Sequence, residues 1–453
     1  MDVDSILRKA EGEATPTPRR SREVAAAVEE VDGMLKKAAQ GARVQPTVQV
    51  GGSYAHGTWL EAQTDVDFFL IYPKEVDRER FEEMGLSLAK DALAACSPRT
   101  RYAEHPYIEA DAGSVTVNAV PCYDVAKGEW KSAADRSPFH TRYMNEHLIG
   151  SLKAQTRVLK LFMKAQGLYG AEIRVRGFSG YACEVLTLKY GSFLGVARGA
   201  LTWKRGTVVS VEGGEELAKA LFKDSPIALL DPVDTTRNLG LAISPMKLAT
   251  FVLLARKFIE EPSIAYFHSN RLRSPKATPV YLKEQTLLLG FPIEEKSEDI
   301  LWGELWKSAN AIAAHLTKDG VNVIRRSVAA DKGWASIALL VSPVKLPKAQ
   351  VRNGPEALMG DATSRFLAAS KGRADAWWIG DDMRCHAIFE GETSDGGELL
   401  DRYFRDPVAS VGFAKGLAKA AKQGHIVRAG ARAYASRRPA DRQALAELVG
   451  YSF

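Results

Sequence analysis

Cysteine is scarce in this 453-residue chain, which has only Cys96, Cys122, Cys183 and Cys385. They stand far apart, in no CxxC pair and no Cys/His ligand spacing. This excludes a disulfide framework and a zinc site, and a reduced, cytoplasmic setting is expected. Long apolar runs are missing as well. No stretch approaches the roughly eighteen apolar residues of a membrane helix, and "MDVDSILRKAEGEATPTPRR" at the N-terminus has no apolar signal core. Neither membrane spanning nor secretion is therefore expected. Internal repeats and low-complexity tracts are absent. Charge of one sign is not in large excess: the formal net charge is +6 and the isoelectric point is near 8.9. That balance permits a polyanionic partner without demanding one, so the placement of the cations carries more information than their sum. With 46% apolar and 26% charged residues the composition is that of an ordinary globular protein. The length is too great for one core and implies roughly two to four domains.

Residues 21–40, "SREVAAAVEEVDGMLKKAAQ", have helical periodicity with Ser21 as N-cap, and "TVQV" (47–50) reads as a strand entering the Gly51-Gly52 turn. A carboxylate-bearing strand follows, then a helix through 75–95. The alternating runs "RYAEHPYIEA" and "SVTVNAVPCYDV" add strands up to about position 125. Positions 146 to about 260 read mostly as helix. From 286 the order becomes strand ("TLLLGFP"), helix ("EDILWGELWKSANAIAAHL") and two strands ("VNVIRRSVA", "WASIALLVS"). That is a split-βαβ pattern, an architecture shared with RNA-recognition folds. The adjacent Trp377 and Trp378 read as core residues of an apolar strand, and a basic segment runs from 411 to the end.

The chemistry concentrates in "GGSYAHGTWLEAQTDVDFFLIYP", residues 51–73. Side chains alternate along a strand, so Asp65 and Asp67 share one face while Val66, Phe68 and Leu70 share the other. The second set suits a core. Two carboxylates side by side repel, and a divalent cation resolves the conflict; Mg²⁺ is the ion commonly held by one or two carboxylates plus substrate phosphates. Gly51, Gly52 and Ser53, with Gly57 and Thr58, place permissive backbone and hydroxyls just upstream, where successive N–H groups can cradle phosphate oxygens. GGS alone is an ordinary turn and DxD alone an ordinary solvated pair. Ordered together before an apolar run, they point to a nucleotide site.

The combination GS-x₃-GT-x₆-D-x-D resembles the signature of polymerase-β-like nucleotidyltransferases. Those enzymes join a nucleoside monophosphate to a hydroxyl with release of pyrophosphate, using two metals. The family's third carboxylate is expected in "SVTVNAVPCY", at the position of Asn118. An amide there lacks the charge that would hold the hydroxyl-activating metal, so impaired turnover is expected. Further stretches resemble the archaeal, class I CCA-adding enzymes: "GGSYAHGTWL", "RYAEHPY", "VPCYDV", "DRSPFH", "GLYGAEIRVRGFSGY" and "DPVDTTRN". The resemblance covers roughly residues 1–265 strongly and the remainder through "NGPEAL" and "WWIGDDMR". It implies template-independent addition of C, C and A to the tRNA 3′ acceptor end from CTP and ATP. It also implies a homodimer and an α+β multidomain fold: a nucleotidyltransferase head (1–145), a helical neck (146–265), then a split-βαβ body and tail (266–453). Residue by residue, the resemblance puts catalytic and metal-binding roles on Asp65, Asp67 and Asn118. Nucleotide contacts fall on Gly52, Ser53, His56, His105, His140, Lys160 and Tyr169, and reading of the incoming base on Arg237. His56 is a departure, since some members carry Arg there.

Two cationic features complete the reading. Lys153, Arg157, Lys160 and Lys164 recur at i, i+4, i+7 and i+11 within about a 60° arc, a stripe roughly 16 Å long. No acidic neighbour at i±4 neutralises it, so it is expected to meet tRNA phosphates. In "KQGHIVRAGARAYASRRPADR" (422–442), Arg428, Arg432, Arg437 and Arg438 surround Tyr434. By itself this run reads as a flexible tail; the resemblance implies contact with the tRNA backbone. Two further functions stand beside CCA addition: another template-independent transferase such as a poly(A) polymerase, and a non-catalytic RNA-binding protein on a retired transferase scaffold.

Overall fold

The computed structural model describes residues 2–61, 64–102, 106–268, 274–346, 348–390, 395–405 and 412–450. The chain divides into two compact units, Met1–Asn270 and Arg271–Phe453. Among the described residues no helix is long and apolar enough to cross a membrane.

The first unit opens with α1 (Val3–Ala14) and α2 (Pro18–Gly41). The second begins three residues before the expected Ser21, because Thr17 caps it by accepting the Arg20 N–H and Pro18 supplies a preset φ at the first turn. Strands β1 (Thr47–Gly51), β2 (Asp65–Pro73), β3 (Arg99–Tyr102), β4 (Pro106–Ala112) and β5 (Val115–Asp124) form one sheet in the order β1-β2-β5-β4-β3. Only β2 and β5 run parallel. A five-residue helix, α3 (Gly52–His56), joins β1 to the β2 approach, and α4 (Arg78–Ala92) follows β2. The face of β2 bearing Val66, Phe68 and Leu70 packs with Val24, Val28, Val31 and Leu35 of α2 and Phe81 and Leu88 of α4. Burial of these apolar groups selects the register that turns Asp65 and Asp67 to the opposite face.

Helices α5 (Ser137–His147), α6 (Ser151–Ala165), α7 (Gly180–Tyr190), α8 (Phe193–Ala200), α9 (Glu215–Leu221) and α10 (Pro245–Glu260) complete this unit. A short parallel pair, β6 (Thr207–Val209) and β7 (Ile227–Leu229), interrupts them. The helices are held by an aromatic cluster in which Phe162 lies 5.2–6.4 Å, ring centre to ring centre, from Phe193, Phe251, Phe258, Tyr266 and Phe267.

In the second unit α11 (Val280–Glu284) leads into β8 (Thr286–Pro292), α12 (Glu298–Lys318), β9 (Asn322–Asp331) and β10 (Trp334–Ser342). After a long insertion, β14 (Ile426–Ala429) closes the sheet in the order β14-β8-β10-β9, with every neighbouring pair antiparallel. Strand β10 thus sits between β8 and β9, the split-βαβ arrangement. Trp302, Leu305, Ile312 and Leu316 of α12 cover one face. The insertion is a separate sheet of β11 (Ala349–Glu356), β12 (Ala376–Ile379) and β13 (Arg384–Glu390), ordered β11-β13-β12, with α13 (Gly360–Ser370). Its edge strand β12 carries Trp377 and Trp378, which are 45% and 43% exposed. The expectation of a buried tryptophan pair is therefore corrected: an edge strand of a three-stranded sheet has no second layer to bury both of its faces. Helices α14 (Gly396–Arg405) and α15 (Lys415–Gly424) precede β14, and α16 (Pro439–Val449) covers the other face of the four-stranded sheet through Ala440, Ala444, Leu445 and Leu448.

Candidate active site

The carboxylate face of the first sheet is built by register. Asp67 stands opposite Asn118 on β5, Asn118 opposite Glu109 on β4, and Glu109 opposite Arg99 on β3. Paired residues on neighbouring strands project to the same side, so these side chains form one row across the sheet. Asp65 is exposed and Asp67 partly buried. The Asn118 amide donates from Nδ2 to Asp67 Oδ1 at 3.0 Å. Burial raises the Asp67 pKa, with the Asn118 hydrogen bond opposing and the Asp65 charge adding to the rise. The next carboxylate in the row, Glu109, is paired with Arg101, whose Nε and Nη2 donate to it at 3.1 and 2.9 Å, and with Arg99 at 3.2 Å.

Gly52 closes the row on the side of α3. Its φ is +63°, and a Cβ there would lie 2.1 Å from Asp67 Oδ2, so only glycine lets the backbone approach this carboxylate. Ser53 follows it, partly buried on α3. Among the described residues no group of three or more His, Cys, Asp and Glu side chains is close enough to hold a metal by itself. Two adjacent carboxylates beside a glycine cradle do fit a hard divalent cation that takes its remaining oxygens from phosphate and water.

Helix α6 corrects the expectation of a phosphate-facing stripe. Lys160 is 1% exposed. Its Nζ donates to Thr58 Oγ1 at 2.8 Å, to Glu184 Oε1 at 2.9 Å and to the Thr58 carbonyl at 3.3 Å. The acid that neutralises it comes from α7, which the i±4 spacing on α6 could not reveal. Glu184 also accepts from the Thr58 hydroxyl and pairs with His56 Nδ1 at 2.9 Å. His56 is itself 3% exposed, so its ring is committed to this cluster, which replaces the expected phosphate contact; Nε2 is buried without a hydrogen-bond partner. Burial pushes the Glu184 pKa up, but Lys160 and His56 outweigh it and hold the carboxyl well below its ordinary range. Burial likewise disfavours the charged Lys160, and Glu184 more than restores it, leaving the ammonium pKa raised. Arg157 is partly exposed but also bound within the protein. Its Nη1 donates to the Gly57 carbonyl at 2.7 Å and its Nη2 to Thr15 Oγ1 at 3.3 Å, tying α6 to the segment after α3. Lys153 and Lys164 remain partly exposed. Burial lowers the Lys164 pKa while the charge of Asp65 opposes the change. Tyr169 is raised by burial, with Lys160 lowering it and Asp65 among the anions it senses. Of the pair, Asp65 is the carboxylate whose charge bears on Lys164 and Tyr169.

His140 and Arg237, far apart in sequence, converge on one carboxylate that the motif reading did not single out. Asp231 is fully buried. Its Oδ2 pairs with His140 Nε2 at 2.8 Å and accepts from Arg237 Nη1 at 3.1 Å. Its Oδ1 accepts from the Val233 N–H at 2.9 Å and the Tyr181 hydroxyl at 3.3 Å. Burial raises the Asp231 pKa, but His140 and Arg237 outweigh that and lower it overall. Asp231 begins the "DPVDTTRN" stretch, yet nothing in its spacing separates a buried hub from a turn aspartate. Glu184 was equally hidden, in a helix whose apolar residues face every side. His105 lies outside the described residues.

In the second unit the basic segment is folded and not a flexible tail. Arg428 Nη1 donates to the buried Asp441 Oδ2 at 3.3 Å, and the Arg438 guanidinium lies 3.4 Å from the centre of the Trp334 ring. Arg432 and Arg437 are exposed. Arg428 thus has a structural partner, while the other three keep a face to solvent.

Family models match in three successive stretches: a nucleotidyltransferase domain at residues 36–140, the second domain of tRNA nucleotidyltransferase at 154–268 and the C-terminal domain of the CCA-adding enzyme at 285–430. The CCA-adding enzyme of Methanopyrus kandleri is 33% identical over 448 residues, covering 93% of this chain and 91% of that protein. That of Pyrobaculum neutrophilum is 36% identical over 357 residues, covering 78% of this chain and 82% of its own length. Among solved structures, the Cid1 poly(U) polymerase aligns over 58% of this chain and 98% of its own, with 14% identity and a TM-score of 0.47. A nucleotidyltransferase sheet with its paired aspartates, followed by helical and split-βαβ parts and matched along nearly its whole length, places this chain in the family of CCA-adding enzymes.

Proposed function

We propose that this chain adds C, C and A to the 3′ end of tRNA from CTP and ATP, at a rate held down by Asn118. In each step the terminal ribose hydroxyl loses its proton to water and its oxygen bonds to the α-phosphorus of the nucleotide. The bond from that phosphorus to the bridging oxygen breaks, and pyrophosphate leaves with the electron pair. The observation that carries the reading is the Asp65/Asp67 face, left open by the core packing and closely approached by the Gly52 backbone. Asp65 and Asp67 would hold Mg²⁺, which when bound supplies charge neutralisation and Lewis acidity to the phosphates. Ser53 offers a hydroxyl donor beside them, and Lys164 adds a cation for the triphosphate. Lys160 serves from behind, fixing Thr58 and the turn that carries Ser53. Arg237 reads the base, presenting donors to acceptors on cytosine or adenine. Lys153, Arg432, Arg437 and Arg438 contribute phosphate contacts along the tRNA. The working division is a head (1–145), a neck (146–265) and a body with tail (266–453), acting as a homodimer, as the family resemblance implies, in the cytoplasm expected from the scattered cysteines.

A second reading, a tRNA-binding protein without turnover, is favoured by one observation. The Asn118 amide occupies Asp67 Oδ1 where the family resemblance implies a third carboxylate. Incorporation of labelled CTP and ATP into tRNA lacking its CCA end, with Mg²⁺, separates the two. The proposal expects slow addition by the parent and fast addition by Asn118→Asp, with equal tRNA binding. Binding by both without addition by either would establish the retired scaffold, and extension by A alone a poly(A)-type transferase.

A further inference from the structure

The reaction as proposed leaves Asp231 without a chemical step, although the base-reading side chain depends on it. Arg237 is 40% exposed along its side chain. A guanidinium on a long stem in such a position would sample many rotamers, and its donors would have no fixed direction. Here the stem is constrained at both ends. The Asp231 N–H donates to the Arg237 carbonyl at 3.1 Å and the Arg237 N–H to the Asp234 carbonyl at 2.8 Å, closing the 231–237 loop on itself. Asp234 is anchored in turn by Thr236 and by Arg136 Nε at 2.9 Å. At the tip, Nη1 donates to Asp231 Oδ2, which restricts how the planar guanidinium can turn and so which way its remaining donors face. The same oxygen orients His140, and Tyr181 and the Val233 N–H hold the other oxygen in place.

We infer that Asp231 is a positioning residue for base selection: by fixing the plane of the Arg237 guanidinium it makes the site prefer cytosine and adenine. The inference rests on Arg237 as the reader of the base. The chemistry follows from the bases themselves. Cytosine N3 and adenine N1 are bare acceptors, whereas uracil N3 and guanine N1 carry hydrogen. Donors in a fixed direction favour the first pair and leave a donor facing a donor in the second. A freed guanidinium would still attract the nucleotide by charge but could turn to the carbonyl oxygens of uracil. Selectivity would fall further than affinity.

The test is equilibrium binding of labelled CTP and UTP to the full chain saturated with tRNA lacking its CCA end, for the parent, Asp231→Asn, Asp231→Glu and Arg237→Met. Asp231→Asn is expected to weaken CTP about tenfold, the loss of a charge-assisted hydrogen bond. It should also bring the CTP/UTP affinity ratio down to that of Arg237→Met, with tRNA affinity unchanged. Asp231→Glu keeps the buried charge but displaces the carboxylate by one methylene, so the same fall in ratio is expected from it even should the Asn variant not fold. A folded Asp231 variant that keeps the parent ratio, while Arg237→Met loses it, overturns the inference and leaves the base-reading role standing. An unchanged ratio in Arg237→Met removes that role, and the inference with it.

Discussion

Asn118 differs from a carboxylate by one nitrogen in place of one oxygen, and two effects follow at the carboxylate pair. It brings no negative charge, and its N–H claims Asp67 Oδ1. Asn118→Asp is therefore expected to raise the rate of CMP addition roughly 10²-fold, the scale of activating a hydroxyl for attack, as measured by single-turnover incorporation at saturating tRNA. Equal rates would show that the third ligand comes from another position. Gly52 is a residue whose side chain matters by its absence. Gly52→Ala puts a methyl group 2.1 Å from Asp67 Oδ2 at a φ of +63°. It should cost about 1–2 kcal/mol of backbone strain and lower turnover at least about tenfold by displacing the carboxylate, with tRNA binding retained. Thermal unfolding and incorporation measured on the same preparation separate the two costs. The pair Asp65/Asp67 was legible because alternation along a strand is local, whereas the expected Gly51-Gly52 turn is the end of β1 and the start of α3. Asp231 was not legible, since a buried acid differs from a surface acid only by what folds over it.

Among the elements, α6 shows how a periodic pattern reports a face without reporting what covers it. Four cations on one arc read as a phosphate stripe, yet two of them are bound to the protein's own oxygens, Lys160 to Glu184 and Thr58, Arg157 to Gly57. The consequences differ by residue. Glu184→Gln strands a buried ammonium and should destabilise the first unit by about 3–5 kcal/mol, read from the urea midpoint. Lys153→Ala should leave stability nearly unchanged and reduce the slope of log K for tRNA against log salt by about 1. Arg157→Ala should do the reverse, and a lowered slope for it would place that guanidinium on RNA after all. The strand β12 failed for a related reason. Its tryptophans have the composition of a core strand, but edge position is a property of the sheet and cannot be read from the strand's own residues.

At the scale of the whole molecule, buried acids tie the stability of the first unit to pH. The carboxyls of Glu184 and Asp231 are both held below their ordinary range. A depressed carboxylate pKa stabilises fully above the unfolded value and is lost as pH falls through the folded one. Lys160, raised in the fold, stabilises fully below its ordinary value and loses that contribution as pH rises through the raised one. Urea midpoints should therefore be flat across neutral pH and fall below about pH 4, and Asp231→Asn should flatten the acid limb. An acid limb unchanged in that variant would assign it to other carboxylates. The two compact units each have their own core, so fragments cut between them should each unfold cooperatively. By itself the sequence determined the two strands on either side of the glycine-rich segment at the carboxylate pair, the split-βαβ succession of the second half and the family. All three rest on interactions between residues near in the chain, or on motifs long enough to be specific. The tertiary structure alone decided which charges are spent inside the protein and which remain for substrate. The partner of a buried charge can stand anywhere in the chain: Glu184 lies 24 residues from Lys160 and Asp231 lies 91 from His140. Only the packing that removes water from between them makes them a pair.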